Sequence, residues 1–136
     1  MAVNLQAPTN LLPVAGVRLA SVNAGIRYKN RNDLLLIELE PGSQTAAVFT
    51  RNAFCAAPVH LCRHHLQKSS PRYLLINAGN ANAGTGEPGM LAARECCEQV
   101  AERGECWAEQ VLPFSTGVIG MQLPVEKITA ALPEAF

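Results

Sequence analysis

The sequence predicts an α/β domain with a mixed sheet and flanking helices. Short apolar runs bounded by Pro, Gly and Asn read as strands. Two longer stretches repeat apolar residues at spacings of three and four, the mark of helices with one buried face. The two kinds of segment alternate along 136 residues, a length that fits one domain with a real core. No repeat, low-complexity tract or linker divides them, so residues 1–136 read as a single domain.

Residues 17–26 are apolar and rich in small side chains, which predicts one or two short strands. A polar turn with a basic cluster, residues 27–32, follows and reads as a solvated loop. Residues 33–40 form a strand closed by Pro41-Gly42. Residues 45–50 are expected to pair with it as a hairpin. Residues 58–67 are ambiguous. Residues 72–77 form a short buried strand, and a Gly/Asn-rich loop leaves it at Asn77. A helix follows with Met90, Ala93, Cys97 and Val100 on its apolar stripe. Pro88 suits its first turn and Gly104 its stop. Cys96 and Cys97 then read as packing. Residues 111–114 end a buried strand. A last helix starts near Pro124, buries Val125, Ile128 and Leu132, and meets Pro133.

Composition narrows the function. Hydrophobic residues make up 49% and charged residues 16%, with net charge zero, which disfavours nucleic acid and acidic membrane surfaces as partners. No apolar run approaches the roughly 18 residues of a membrane span. Residues 1–13 lack the basic and apolar regions of a secretory leader and the Arg-rich character of a transit peptide. A cytoplasmic protein is expected. Five cysteines without a paired framework fit reduced thiols. Cys55, His60, Cys62, His64 and His65 match no zinc spacing, so no metal is expected.

Two loops can carry chemistry. The first runs Asn77-Ala78-Gly79-Asn80-Ala81-Asn82-Ala83-Gly84-Thr85-Gly86. It contains a G-x-G-x-x-G string from Gly84 to Gly89. The string starts seven residues after Asn77 rather than directly after the strand, and Glu87 would oppose a pyrophosphate. Nucleotide binding is disfavoured. Two readings remain: a tight loop whose asparagines bond their own backbone, or Asn77, Asn80 and Asn82 lining or bracing a polar site. The second loop, Ser115-Thr116-Gly117, brings hydroxyls and a flexible N–H to a strand tip, an arrangement able to hold an oxyanion. The bland reading is a strand-to-turn connection with a glycine at positive φ. Ser115 lacks the G-x-S-x-G elbow of a hydrolase nucleophile.

Five blocks stand in order: residues 33–40; residues 48–52 with 56–59; the Asn77–Gly86 loop; Ser115-Thr116-Gly117-Val118-Ile119-Gly120; and residues 123–128. From about Gly16 to Phe136 their order and intervals resemble the bifunctional ornithine acetyltransferase / glutamate N-acetyltransferase family of arginine biosynthesis. The resemblance implies a layered sandwich similar to the self-processing N-terminal-threonine acetyltransferase fold. It implies a precursor that cuts itself before a threonine, which becomes the N-terminal nucleophile of a downstream β chain. That threonine takes acetyl from N-acetylornithine and passes it to glutamate, a ping-pong transfer. The upstream α chain supplies the oxyanion hole, here Thr116 by its hydroxyl and Gly117 by its backbone N–H. No cofactor is implied, with acetyl-CoA a co-substrate open to bifunctional members. The implied partner is the β chain, in a heterotetramer.

The sequence departs from the family in places. Gly84 stands where cysteine is common, and Ala78 where serine is. None of Thr9, Thr45, Thr50, Thr85 or Thr129 lies in the family's cleavage context. The expectation is an N-terminal portion of the α chain, without cleavage site or nucleophile and inactive alone. Two alternatives stay open: a noncatalytic assembly module, and a related self-processing aminopeptidase, which the Asn-Ala-Asn-Ala block resembles less closely.

Overall fold

The computed structural model describes residues 10–136. Of the leader reading over residues 1–13, residues 1–9, Thr9 included, lie outside the described residues. Four strands form one sheet in the order β1 (Val17–Val22), β2 (Leu34–Leu39), β3 (Tyr73–Asn80), β4 (Val111–Val118). β1 pairs antiparallel with β2, and β2 with β3, while β3 and β4 run parallel. The sheet is mixed, as the alternation of elements predicts. Three helices cover one face: α1 (Ala57–Lys68) over β4, α2 (Gly86–Arg103) beside it, and α3 (Val125–Ala135) over β1 and β2. The parallel β3–α2–β4 crossover needs a helix of this length to return the chain to the starting edge.

The core lies between the sheet and these helices. Leu34 and Leu36 of β2, Tyr73 and Leu75 of β3, and Val111 of β4 point into it. Ala93, Cys96, Cys97 and Val100 of α2 meet them, with Ile128 and Leu132 of α3. The α2 stripe includes Cys96 as well as Cys97, both almost fully buried.

One expectation fails, and the structure adds detail to three others. Residues 45–50 form no strand, because both edges of β2 are already taken by β1 and β3. Residues 58–67 fall within helix α1, whose first turn holds a proline, where the missing N–H costs no bond. Pro133 lies inside the last turn of α3 rather than ending it. Gly104 closes α2 at φ −86°, not in the left-handed region; a Cβ there would lie 2.4 Å from the Tyr73 ring. The glycine is required by that ring, and Glu105 takes the positive φ instead, at 49°.

Candidate functional site

β3 and β4 both extend further than their apolar residues indicate. β3 continues to Asn80 and β4 to Val118, so Ser115, Thr116 and Gly117 lie within the strand, near its C-terminal end. The cause is mutual: each tail pairs with the other, Asn77 with Ser115, Ala78 with Thr116 and Gly79 with Gly117. The ladder then slips in a bulge at Asn80. Bulges redirect side chains and are common beside active sites.

The Gly79–Gly117 pair is a backbone-to-backbone contact. A Cβ on Gly117 would fall 2.3 Å from the Gly79 carbonyl carbon and 2.5 Å from Asn80 N. Gly117 also adopts φ +141°, a region that side chains disfavour. Only glycine lets the two strands approach this closely.

The three asparagines brace this end of the sheet. Asn77 donates its amide to Asn80 O at 2.9 Å and accepts from Ser115 Oγ at 2.6 Å. Asn80 donates to Met121 O and Gln122 O at 3.1 and 2.9 Å, while its Oδ1 accepts from Asn82 N at 2.7 Å. Asn82 sits at φ +44°, a conformation asparagine tolerates. It donates to Gly89 O at 2.8 Å and accepts from Thr85 Oγ1 at 2.9 Å. All three are buried. Buried amides with this many partners rigidify their surroundings. The glycine string also finds its reason here: a Cβ on Gly89 would sit 1.9 Å from Thr85 Oγ1.

Thr116 and Gly117 remain exposed above this framework. Among the described residues the Thr116 hydroxyl has no hydrogen-bond partner. Beyond them, Gly120 N donates to Ala83 O at 2.8 Å, and Ala81 N to Val118 O at 2.9 Å, tying the two loops together. The arrangement presents a free hydroxyl and a glycine backbone on a braced strand end.

Several other reactive groups are withdrawn. The Ser115 hydroxyl is committed to Asn77. Burial pushes the Cys62 and Cys96 thiols up to about 12, and Cys97 higher still. Thiols so protonated are poor nucleophiles. His65 is buried, its Nδ1 2.7 Å from Val111 O; burial lowers its pKa, and the carbonyl partly opposes that. His60 and His64 are exposed on α1. Among the described residues no cluster of three or more His, Cys, Asp or Glu is placed to hold a metal.

The chain matches the family model described as "ArgJ family" over residues 18–136. It is 57% identical over 126 residues to the arginine biosynthesis bifunctional protein ArgJ of Methylococcus capsulatus, covering 93% of this chain and 31% of that protein. The chain thus spans about a third of that curated relative's length. Two solved structures are similar. One is the arginine biosynthesis bifunctional protein ArgJ of Bacillus halodurans, with TM-score 0.82 and 31% identity over 87% of this chain and 62% of that one. The other is the ornithine acetyltransferase of Mycobacterium tuberculosis in complex with ornithine. Its TM-score is 0.77 at 36% identity, over 89% of this chain and 66% of that one.

Proposed function

Because the chain belongs to the ArgJ family, we propose that it forms part of an acyltransferase moving acetyl from N-acetylornithine to glutamate. The observation that carries this reading is the exposed Thr116–Gly117 pair on a braced strand end, where the neighbouring Ser115 hydroxyl is committed to Asn77. Acetyl transfer passes through tetrahedral intermediates in which the carbonyl oxygen becomes negative. Fixed donors aimed at that oxygen stabilise it without reorganising. The Thr116 hydroxyl and the Gly117 N–H fill that role. The nucleophile is a threonine outside these 136 residues, made N-terminal by self-cleavage of a precursor, with its own α-amine as base.

Acetyl-threonine formation and its transfer to glutamate then follow one another at the same oxyanion hole. No bound cofactor is needed for an ester intermediate. In bifunctional action acetyl-CoA enters as a second acetyl donor. The partner in this reading is the β chain of the same precursor, in a heterotetramer in the cytoplasm. No helix among the described residues is long and apolar enough to cross a membrane.

Asn77, Asn80 and Asn82 hold the strand ends rather than touch substrate. Gly84 and Ala78, where family members often carry Cys and Ser, leave this framework without polar groups at those two positions.

The test is Thr116→Ala in the family-length enzyme carrying this chain. Turnover of N-acetylornithine with glutamate is expected to fall about 10²–10³-fold, the usual effect of losing one oxyanion donor. Thermal stability should barely change, because the side chain is exposed. Normal turnover would make Thr116 a strand residue with no part in the reaction.

A further inference from the structure

A turn with three cations packs on this strand end through Arg27. Residues 27–31 form an exposed turn carrying Arg27, Lys29 and Arg31. Among the described residues none of the three has a carboxylate partner; the ion pairs there join Arg18 and Arg72 to Glu38. Crowded like charges repel, and a loose turn would let them spread.

This turn is tied down instead. Asp33 accepts from Ala24 N and Ile26 N at 2.8 and 2.7 Å, with its own carboxylate only 4% exposed. Asn23 Nδ2 donates to Lys29 O and Arg31 O at 3.0 and 2.6 Å. Lys127 Nζ donates to Gly25 O at 2.8 Å and adds a fourth positive charge. The Arg27 and Arg31 guanidinium groups lie 5.4 and 4.2 Å from the Tyr28 ring centre, so one ring orients both.

The turn also has an address. A Cβ on Gly79 would fall 2.9 Å from Arg27 Cβ and 3.6 Å from Arg27 N. Gly79 is the residue paired with Gly117. The base of Arg27 therefore packs on the strand beside the oxyanion donors.

We propose that the turn at residues 27–31 is an anion-docking rim that takes the carboxylate or phosphate of the substrate whose carbonyl lies at Thr116 and Gly117. The proposal rests on the acyl-transfer reading and deepens it. Amino-acid substrates carry carboxylates and a coenzyme A thioester carries phosphates. Guanidinium groups recognise both through paired N–H donors. With net charge zero over the whole chain, such a local cluster is not masked by a general positive field.

The experiment uses the family-length enzyme carrying Arg27→Gln, Arg31→Gln, or both, with Lys29→Gln alongside. KM and kcat are measured for N-acetylornithine, glutamate and acetyl-CoA at low and high salt. The double variant is expected to raise KM for at least one substrate about tenfold, with kcat within about twofold and a weaker salt dependence of KM. Arg27→Lys should recover part of the loss. A rise confined to acetyl-CoA identifies the phosphate; a rise for N-acetylornithine or glutamate identifies the carboxylate. Unchanged KM for all three substrates, with Thr116→Ala still impaired, overturns the rim and leaves the oxyanion reading intact. Thr116→Ala with normal turnover overturns the oxyanion reading itself.

Discussion

Single residues divide here into those that present chemistry and those that are kept from it. Thr116 is exposed, while Ser115, next to it in sequence, spends its hydroxyl on Asn77. Strand alternation sends neighbours to opposite faces, and the asparagine then fixes which hydroxyl is bound. His65 shows the same separation and yields a pH prediction. Burial holds its folded pKa below the ordinary 6.5. As pH falls through that value the unfolded chain takes up a proton that the folded chain refuses, so stability is lost on acidification. Melting temperature should fall between about pH 7 and pH 5, and His65→Gln should flatten that part of the curve. An identical slope in the variant would assign the pH dependence to other groups. The histidine's burial was not legible from sequence. Its neighbours His60 and His64 have the same residue type and opposite exposure, and only the helical phase of α1 separates them.

At the level of elements, the close approach of β3 and β4 governs the site. The Gly117→Ala side chain would collide with the Gly79 carbonyl carbon, which is backbone and cannot swing away. That variant should destabilise the domain by about 1–3 kcal/mol, the usual cost of overpacking, on top of backbone strain at φ +141°. A thermal or denaturant melt measures it, and a variant as stable as the parent would show that the strands can separate freely. The sequence made Gly117 a candidate through its place after Ser-Thr. It did not reveal that Gly79 is its partner, because parallel pairing joins residues 38 positions apart. Elements with strong internal patterns were readable: the stripe of α2 and the apolar runs of β2 and β3. Residues 45–50 carry a convincing strand pattern but remain outside the sheet, since a strand needs a free edge as well as a pattern.

The whole molecule buries one face of its sheet and leaves the other half-covered. Leu19 is 65% exposed, and Leu35, Ile37, Leu74 and Ile76 on the same face are only partly buried. Cross-strand register aligns Leu19 with Ile37 and Ile37 with Leu74. A contiguous apolar surface of this kind favours association over isolation. In the acyl-transfer reading the nucleophile is a threonine outside these 136 residues. Purified by themselves they should transfer no acetyl from N-acetylornithine to glutamate. Measurable transfer by the polypeptide alone would place a nucleophile within it and overturn the division of labour proposed above. The sequence by itself determined the α/β class, the mixed sheet, the register of five blocks that marks the ArgJ family, and Thr116 and Gly117 as candidates. These are local matters, set by periodicity, turn residues and motif order along the chain. Tertiary structure alone decided the Gly79–Gly117 contact, the asparagine bracing, the burial of Cys62 and His65, and the nearness of the Arg27 turn to the strand end. Each of those joins residues distant in sequence, and packing in three dimensions brings them together.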